Sequence, residues 1–319
     1  MSTQTLEQYM LIKKPDVSPN TMLSYLQKIK HLYFDLYPED VGVLNLEKLL
    51  AIPPEIILDK ILLKEKLSTQ NVFNSAFYAL TNNHCFKKKI AEIKEIISNE
   101  VQNNTLPSEY NIKNQITQED LDTELETKRL ASDNIYHLIT HFEIKNVDMN
   151  ELQILQQYVM LCLMCGKYIA PRRSRDYYDF KIKNIDQNKD NYLDQDTCEI
   201  VYNSFKTKKS HGQKKIKIPI ELFDILNKWI TVNPYDYLFV NKNGDQLSSH
   251  IYSKKMNQIF GTKKGKSTNQ LRHAFLQHTF PNAENMNKIL SDMSTSSRVL
   301  NYYVKDFSHV AQSACVTLN

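Results

Sequence analysis

With 319 residues, 41% of them hydrophobic and 24% charged, the chain is long enough for two cores and falls outside the disordered, collagen-like and disulfide-scaffold classes. The net charge of +4 hides an uneven distribution: Lys206 to Arg272 holds fourteen Lys and Arg against four acids, so the remainder sums to −6. A basic segment of that density fits a polyanionic partner, and a solvated lysine-rich face accounts for it equally well on charge alone.

The start, Met1-Ser2-Thr3-Gln4-Thr5, lacks the basic and apolar regions of a signal peptide. Residues 1–100 are expected to form a helical domain. Ser18-Pro19-Asn20-Thr21 reads as a helix start, followed by Met22, Tyr25, Leu26, Ile29, Leu32 and Tyr33 at helical spacing. Leu46 to Ala51, Pro54 to Leu63, Gln70 to Leu80 and Phe86 to Ile97 repeat the pattern. Lys28, Lys30 and Lys87-Lys88-Lys89 lie on these helices as solvated lysines or phosphate contacts. Polar residues around Asn103-Asn104 and Leu106-Pro107-Ser108 mark 101–116 as a linker, and a second domain spans 117–319.

That second domain opens on an acidic run, Glu119 to Glu126, which would repel a polyanion and is expected to face away from one. Helices follow at Ile135 to Phe142 and Leu152 to Cys165. The apolar run Val159 to Cys165 is too short to span a bilayer and is followed by Lys167, so no membrane attachment is expected. Cys162 and Cys165 have metal or redox spacing, but with no second pair their placement in an apolar helix favours core packing, and no metal site is expected. Five scattered cysteines (Cys85, Cys162, Cys165, Cys198, Cys315) fit a reducing compartment. The expected location is intracellular, in nucleus or cytoplasm, or in a virion. Beyond Arg175 the period changes. Cys198 to Tyr202 and Lys215 to Ile220 read as two strands joined by a basic tip, Lys206 to Gln213, and helices resume at Glu221. The fold class expected is mainly α with a small β-sheet (α+β).

Four separated clusters carry groups suited to one chemistry. Ala170-Pro171-Arg172-Arg173-Ser174-Arg175-Asp176-Tyr177 closes an apolar helix; Ser204-Phe205-Lys206-Thr207-Lys208-Lys209 lies in the hairpin; Leu271-Arg272-His273 lies on a helix capped by Ser267 or Thr268; Asn301-Tyr302-Tyr303-Val304-Lys305 comes last. Cutting a nucleic-acid backbone without a metal needs a nucleophile, cations on the non-bridging oxygens, and an acid for the leaving oxygen. Arginine suits the second task, because its fork donates paired hydrogen bonds and keeps its charge. A phenol suits the first and a lysine the third.

This ordered set resembles the tyrosine recombinases and integrases, particularly those of large DNA viruses and mobile elements. The likeness covers about 117–319, with a weaker likeness of the first domain to the family's core-binding domain. The resemblance implies a helical core-binding domain plus a tyrosine-recombinase-like catalytic domain. It implies catalytic residues Arg173, Lys206, Arg272 and the nucleophile Tyr303, which follows Arg272 by thirty-one positions. Counting back from Asp176 favours Arg173 over Arg172 and Arg175, while any of the three is also placed to pair with Asp176 or Asp179. Tyr302 is the alternative nucleophile, since Val299, Tyr303 and Phe307 form an apolar stripe.

Asn269 and Ser294 (or Thr295) stand where the family commonly has His or Lys, and His or Trp. Each can donate a hydrogen bond and neither can act as a cation. Nucleic-acid contacts are expected from Lys208, Lys209, Lys214, Lys215, Lys263, Lys264 and Lys266, and from His273 unless it is structural. The implied activity is site-specific recombination or integration through a 3′-phosphotyrosyl intermediate, with no metal, ATP or other cofactor. The implied partners are double-stranded DNA and further copies of the chain, two to four on the DNA, with 309–319 a candidate for docking on a neighbour. A type IB topoisomerase shares these residues, and a DNA-binding protein on a decayed recombinase scaffold accounts for the missing histidines.

Overall fold

The computed structural model describes residues 5–40, 42–103, 112–144, 147–208, 212–262, 265–279 and 286–295. It is mainly helical with one small sheet, the class the sequence predicts, and it divides into two units, Met1–Asn104 and Thr105–Asn319.

The first unit is built by local capping and one apolar core. Thr5 and Gln8 form a reciprocal capping box at the start of α1 (Leu6–Lys13). The Ser18 side chain accepts from the Thr21 amide, and Pro19 opens α2 (Pro19–Leu36), because its missing N–H costs nothing at that position. That helix buries Met22, Leu26, Ile29, Leu32 and Tyr33 along the predicted stripe. The short α3 (Leu46–Leu50) and α4 (Pro54–Leu62) follow. Next come α5 (Leu67–Thr81) and α6 (His84–Asn103), joined through Asn82 in the left-handed conformation that ends α5. Phe73, Phe77 and Phe86 join Leu32 and Tyr33 in the core.

In the second unit α7 (Gln118–His141) begins earlier than the apolar period suggests. The acidic run is its first turns: Thr117 and Asp120 cap each other, and carboxylates there complement the helix dipole. Helix α8 (Met149–Met164), started by an Asp148–Glu151 box, is buried without interruption from Tyr158 to Met164 and is the axis of the core. Cys162 and Cys165 are buried free thiols within it, and burial pushes the Cys162 thiol well up. Gln156, also buried, accepts from the Val240 amide at 2.7 Å and donates to its carbonyl at 3.2 Å, satisfying backbone that no strand covers.

The short α9 (Ser174–Tyr178) leads into the sheet, of order β1-β2-β3-β4: β1 (Phe180–Lys181), β2 (Asn191–Asp194), β3 (Glu199–Tyr202) and β4 (Lys214–Lys217). The pair β1–β2 is parallel and the other two are antiparallel, with Ile200 opposite Leu193 on one side and Ile216 on the other. The strand predicted to reach Ile220 stops at Lys217. Pro219 cannot continue the ladder and instead occupies the N-cap of α10 (Ile220–Val232). Helices α11 (Ser249–Ile259), α12 (Thr268–Thr279) and α13 (Met286–Asp292) complete the described chain. Among the described residues, no helix is long and apolar enough to cross a membrane.

Candidate active site

The arginine box begins where α8 ends. Gly166 adopts φ +80°, and a Cβ there would fall 2.3 Å from the Phe275 ring, so only glycine allows the chain to turn against α12 at this point. The loop is then fastened by Tyr177. Its buried hydroxyl donates to the Leu163 carbonyl at 3.0 Å and accepts from the Arg172 amide at 3.2 Å. It thereby satisfies a terminal carbonyl of α8 and fixes the box to that helix. Burial pushes the Tyr177 phenol up to about 12, which keeps it a neutral donor.

Arg172 is fully buried. Its Nε donates to Asp176 at 2.7 Å, its Nη1 donates to the Asp292 carbonyl at 2.5 Å, and its guanidinium lies 4.1 Å over the Tyr202 ring and 5.1 Å from that of Phe205. It is this arginine, one helical turn from Asp176, that makes the ion pair. Arg173 caps α9, is half-buried, and donates to the Ser294 carbonyl at 2.6 Å. Arg175 is exposed and lies 4.0 Å from Asp179.

Arg272, fully buried on α12, donates to the Met293 carbonyl at 3.3 Å and to the Thr295 hydroxyl. Three guanidiniums therefore converge on residues 292–295, the last residue of α13 and the turn after it, where carbonyls at a helix end carry partial negative charge. Asp176 faces all three. Burial pushes its carboxyl above the usual range, against the pull of Arg172, Arg173 and Arg272. Leu276, Leu290 and Met293 form a small core that holds α13 against α12. Of the two positions weighed there, Ser294 contributes its backbone carbonyl, at φ +52°, and Thr295 contributes its side chain.

The lysine hairpin is tied to the arginine box by Asn191, a residue that composition and period did not single out. Its amide donates to the Asp176 carbonyl at 3.0 Å and the Ser204 carbonyl at 2.8 Å, while its oxygen accepts from the amides of Asn203 and Ser204. Lys206 and Lys208 follow on an exposed turn, and Lys215 is exposed on β4. Lys214 is engaged within the protein, with Asp292 at 2.9 Å and the Ser291 hydroxyl at 3.1 Å. Lys266 donates through Nζ to the Gln115 carbonyl. Asn269 is exposed, one turn before Arg272 on the same face of α12, and His273 is buried beside it. Lys209, Lys263, Lys264, Tyr302, Tyr303 and the 309–319 tail lie outside the described residues. Among the described residues, no group of three His, Cys, Asp or Glu is placed to hold a metal ion.

No protein-family model matches the sequence, and no curated protein matches it closely. The architecture does match solved structures. A XerH site-specific recombinase bound to difH substrate, in a pre-cleavage complex, aligns with a TM-score of 0.56 at 14% identity, covering 98% of this chain and 94% of that one. The post-cleavage complex of XerH with palindromic difH aligns at 0.53 and 14%, covering 98% and 84%. XerA recombinase aligns over 98% of both chains at 0.42 and 11%. At such identity the likeness shows the fold, that of the tyrosine recombinases.

The two neighbouring arginines should separate by stability. Arg172→Leu leaves the buried Asp176 carboxylate without its partner and should cost about 3–5 kcal/mol in urea unfolding. Arg173→Leu, at a half-exposed position, should cost under about 1 kcal/mol. The reverse order would make Arg173 the structural residue of the pair.

Proposed function

We propose that this chain is a tyrosine-type site-specific DNA recombinase or integrase. It would act on double-stranded DNA as a dimer to tetramer, through a 3′-phosphotyrosyl intermediate and without metal or ATP. The observation that carries the reading is the convergence of Arg173 and Arg272, ninety-nine positions apart in sequence, on one four-residue segment, within a fold shared with recombinases. The XerH structures hold their substrates before and after cleavage, which supports DNA as the partner of this chain. The likeness of the motifs to recombinases of viruses and mobile elements extends the proposal to integration.

In this reading Arg173 and Arg272 hold the non-bridging oxygens of the scissile phosphate. A charged phosphate oxygen is a stronger acceptor than a peptide carbonyl. DNA would therefore replace the carbonyls of Met293 and Ser294 as the partners of these arginines, and the segment above the buried Arg272 must yield. Asn269, exposed on the same face, adds a neutral donor. The phenol oxygen of Tyr303 loses its proton to solvent and bonds to phosphorus as the bond to the 5′-oxygen breaks, and Lys206 gives that leaving oxygen a proton. The diester energy is kept in the phosphotyrosine, so rejoining needs no nucleotide. Tyr303 follows Thr295 by eight residues in the sequence. Arg172, enclosed by Asp176, Tyr202 and Phe205, is a positioning residue. Lys208, Lys209, Lys215, Lys263 and Lys264 are phosphate contacts outside the reacting atoms, and the helical unit is a second DNA-binding domain.

One observation favours a second reading. With Asn269 and Ser294 in place of cationic side chains, a DNA-binding protein on a decayed scaffold has the same arginines but no turnover. A nicked suicide duplex separates the two. The wild type and Tyr302→Phe should accumulate a covalent adduct resistant to denaturant, and Tyr303→Phe should bind DNA and give none. Adducts from both variants would defeat the assignment, and none from the wild type would favour the binder.

The leaving-group role is tested separately. Lys206→Ala should slow cleavage by about 10²-fold or more while changing affinity little, because the acid acts only in the transition state. A 5′-bridging sulfur, whose departure needs no proton, should restore most of the rate. No restoration would remove Lys206 from that role.

A further inference from the structure

The second unit carries another cluster of cations that the proposed chemistry does not use. The Asn241 side chain accepts from the amides of Asn243 at 2.7 Å and Asp245 at 3.0 Å, shaping a tight turn. This turn and α11 line an open pocket of about 310 Å³, formed by Asn241, Lys242, Asn243, Ile251, Lys254, Lys255 and Gln258. Lys242 and Lys254 are exposed at its rim, while Lys255 is half-buried and donates to Gln153 of α8. Among the described residues, no carboxylate lies within ion-pair distance of any of the three.

We propose that this pocket is a second phosphate site, apart from the arginine cluster, and that it takes one backbone phosphodiester of the bound duplex. Withdrawing an ammonium from water beside a like charge is unfavourable, and here no carboxylate offsets it. The cost is visible at Lys255, whose ammonium is held down to about 8 by burial and by the charge of Lys242. An anion in the pocket supplies the opposite charge that offsets both effects. A tetrahedral phosphate suits the lining better than a carboxylate. It accepts from several directions, and the pocket offers three ammonium groups with the side-chain amides of Asn243 and Gln258 beside them. The pocket chemistry stands by itself, and DNA as the source of the phosphate rests on the recombinase reading.

The test uses the full chain with Lys255→Met and the triple variant Lys242→Gln/Lys254→Gln/Lys255→Met. Binding of a duplex is measured by anisotropy over a range of salt. One shared phosphate predicts that the slope of log Kd against log salt falls by about one in either variant. A fall of about three in the triple variant would mean three independent surface lysines, and an unchanged slope in both would mean no DNA contact. Either result overturns the proposal.

Thermal unfolding without DNA is the second readout. Inorganic phosphate, against chloride at equal ionic strength, should raise Tm of the wild type by about 2 °C or more beyond any rise in Lys255→Met, which keeps the arginine cluster. In chloride, Lys255→Met should melt at or above the wild-type temperature, because a repelled ammonium has gone. A lower melting temperature would make Lys255 a structural donor to Gln153 and would overturn the site. If the wild type binds no duplex at all, the recombinase reading fails. The phosphate arm then judges the pocket alone, and equal Tm in phosphate and chloride overturns it.

Discussion

The candidate site depends on one buried ion pair. Asp176 and Arg172 lie 2.7 Å apart, and neither side chain has appreciable contact with solvent. Such a pair is not a gain in itself, because the lost hydration of both charges opposes their attraction. Its effect here is positional. Arg172 is held by Asp176, by the rings of Tyr202 and Phe205, and by the Asp292 carbonyl, so one side chain joins the arginine box, the sheet and the end of α13. With Arg172 so fixed, the next residue must emerge at the N-cap of α9, where Arg173 meets the Ser294 carbonyl. Two adjacent arginines thus take different tasks, one enclosed and one presented.

The same frame sets the distance between cation and acid in the proposed mechanism. Asn191 carries the position of Asp176 across to Ser204, two residues before Lys206. Lys214, at the far end of the turn, is held by Asp292 and Ser291 of α13. The hairpin is consequently referenced at both ends to elements that also contact the arginines. Catalysis by positioned charge needs this kind of support, because an error near 1 Å at the phosphate weakens every interaction made there.

Much of this was legible in the sequence. The helical period located α2, α4, α5, α6 and α8, the alternation Lys215-Ile216-Lys217 located β4, and an arginine in the apolar stretch around Leu271 stood out as hard to explain on a surface. The fold class followed from these. What was not legible arises from contacts between distant positions. Counting from Asp176 cannot reveal that Arg172 takes the carboxylate, since three arginines lie within reach and only burial separates them. Strands of two and four residues, β1 and β2, are too short to show an alternation. Lys214 looked like its neighbours because its partner Asp292 is seventy-eight positions away. Asn191 had no pattern at all, since its four bonds go to backbone atoms of other elements. Thr295 rather than Ser294 offers its side chain to Arg272, because the left-handed Ser294 turns the chain there.

The proposed role of Arg272, which donates to the Met293 carbonyl and the Thr295 hydroxyl, is to neutralise a scissile phosphate. Chemistry can remove that charge from the DNA instead of from the protein. Cleavage of a suicide duplex by Arg272→Ala should be compared with an ordinary phosphate and with a neutral methylphosphonate at the scissile position. The account predicts that the variant is deeply impaired on phosphate, by about 10²-fold or more, and recovers most of that loss on the methylphosphonate. Equal impairment on both substrates, in a variant that still folds and binds the duplex, would contradict it.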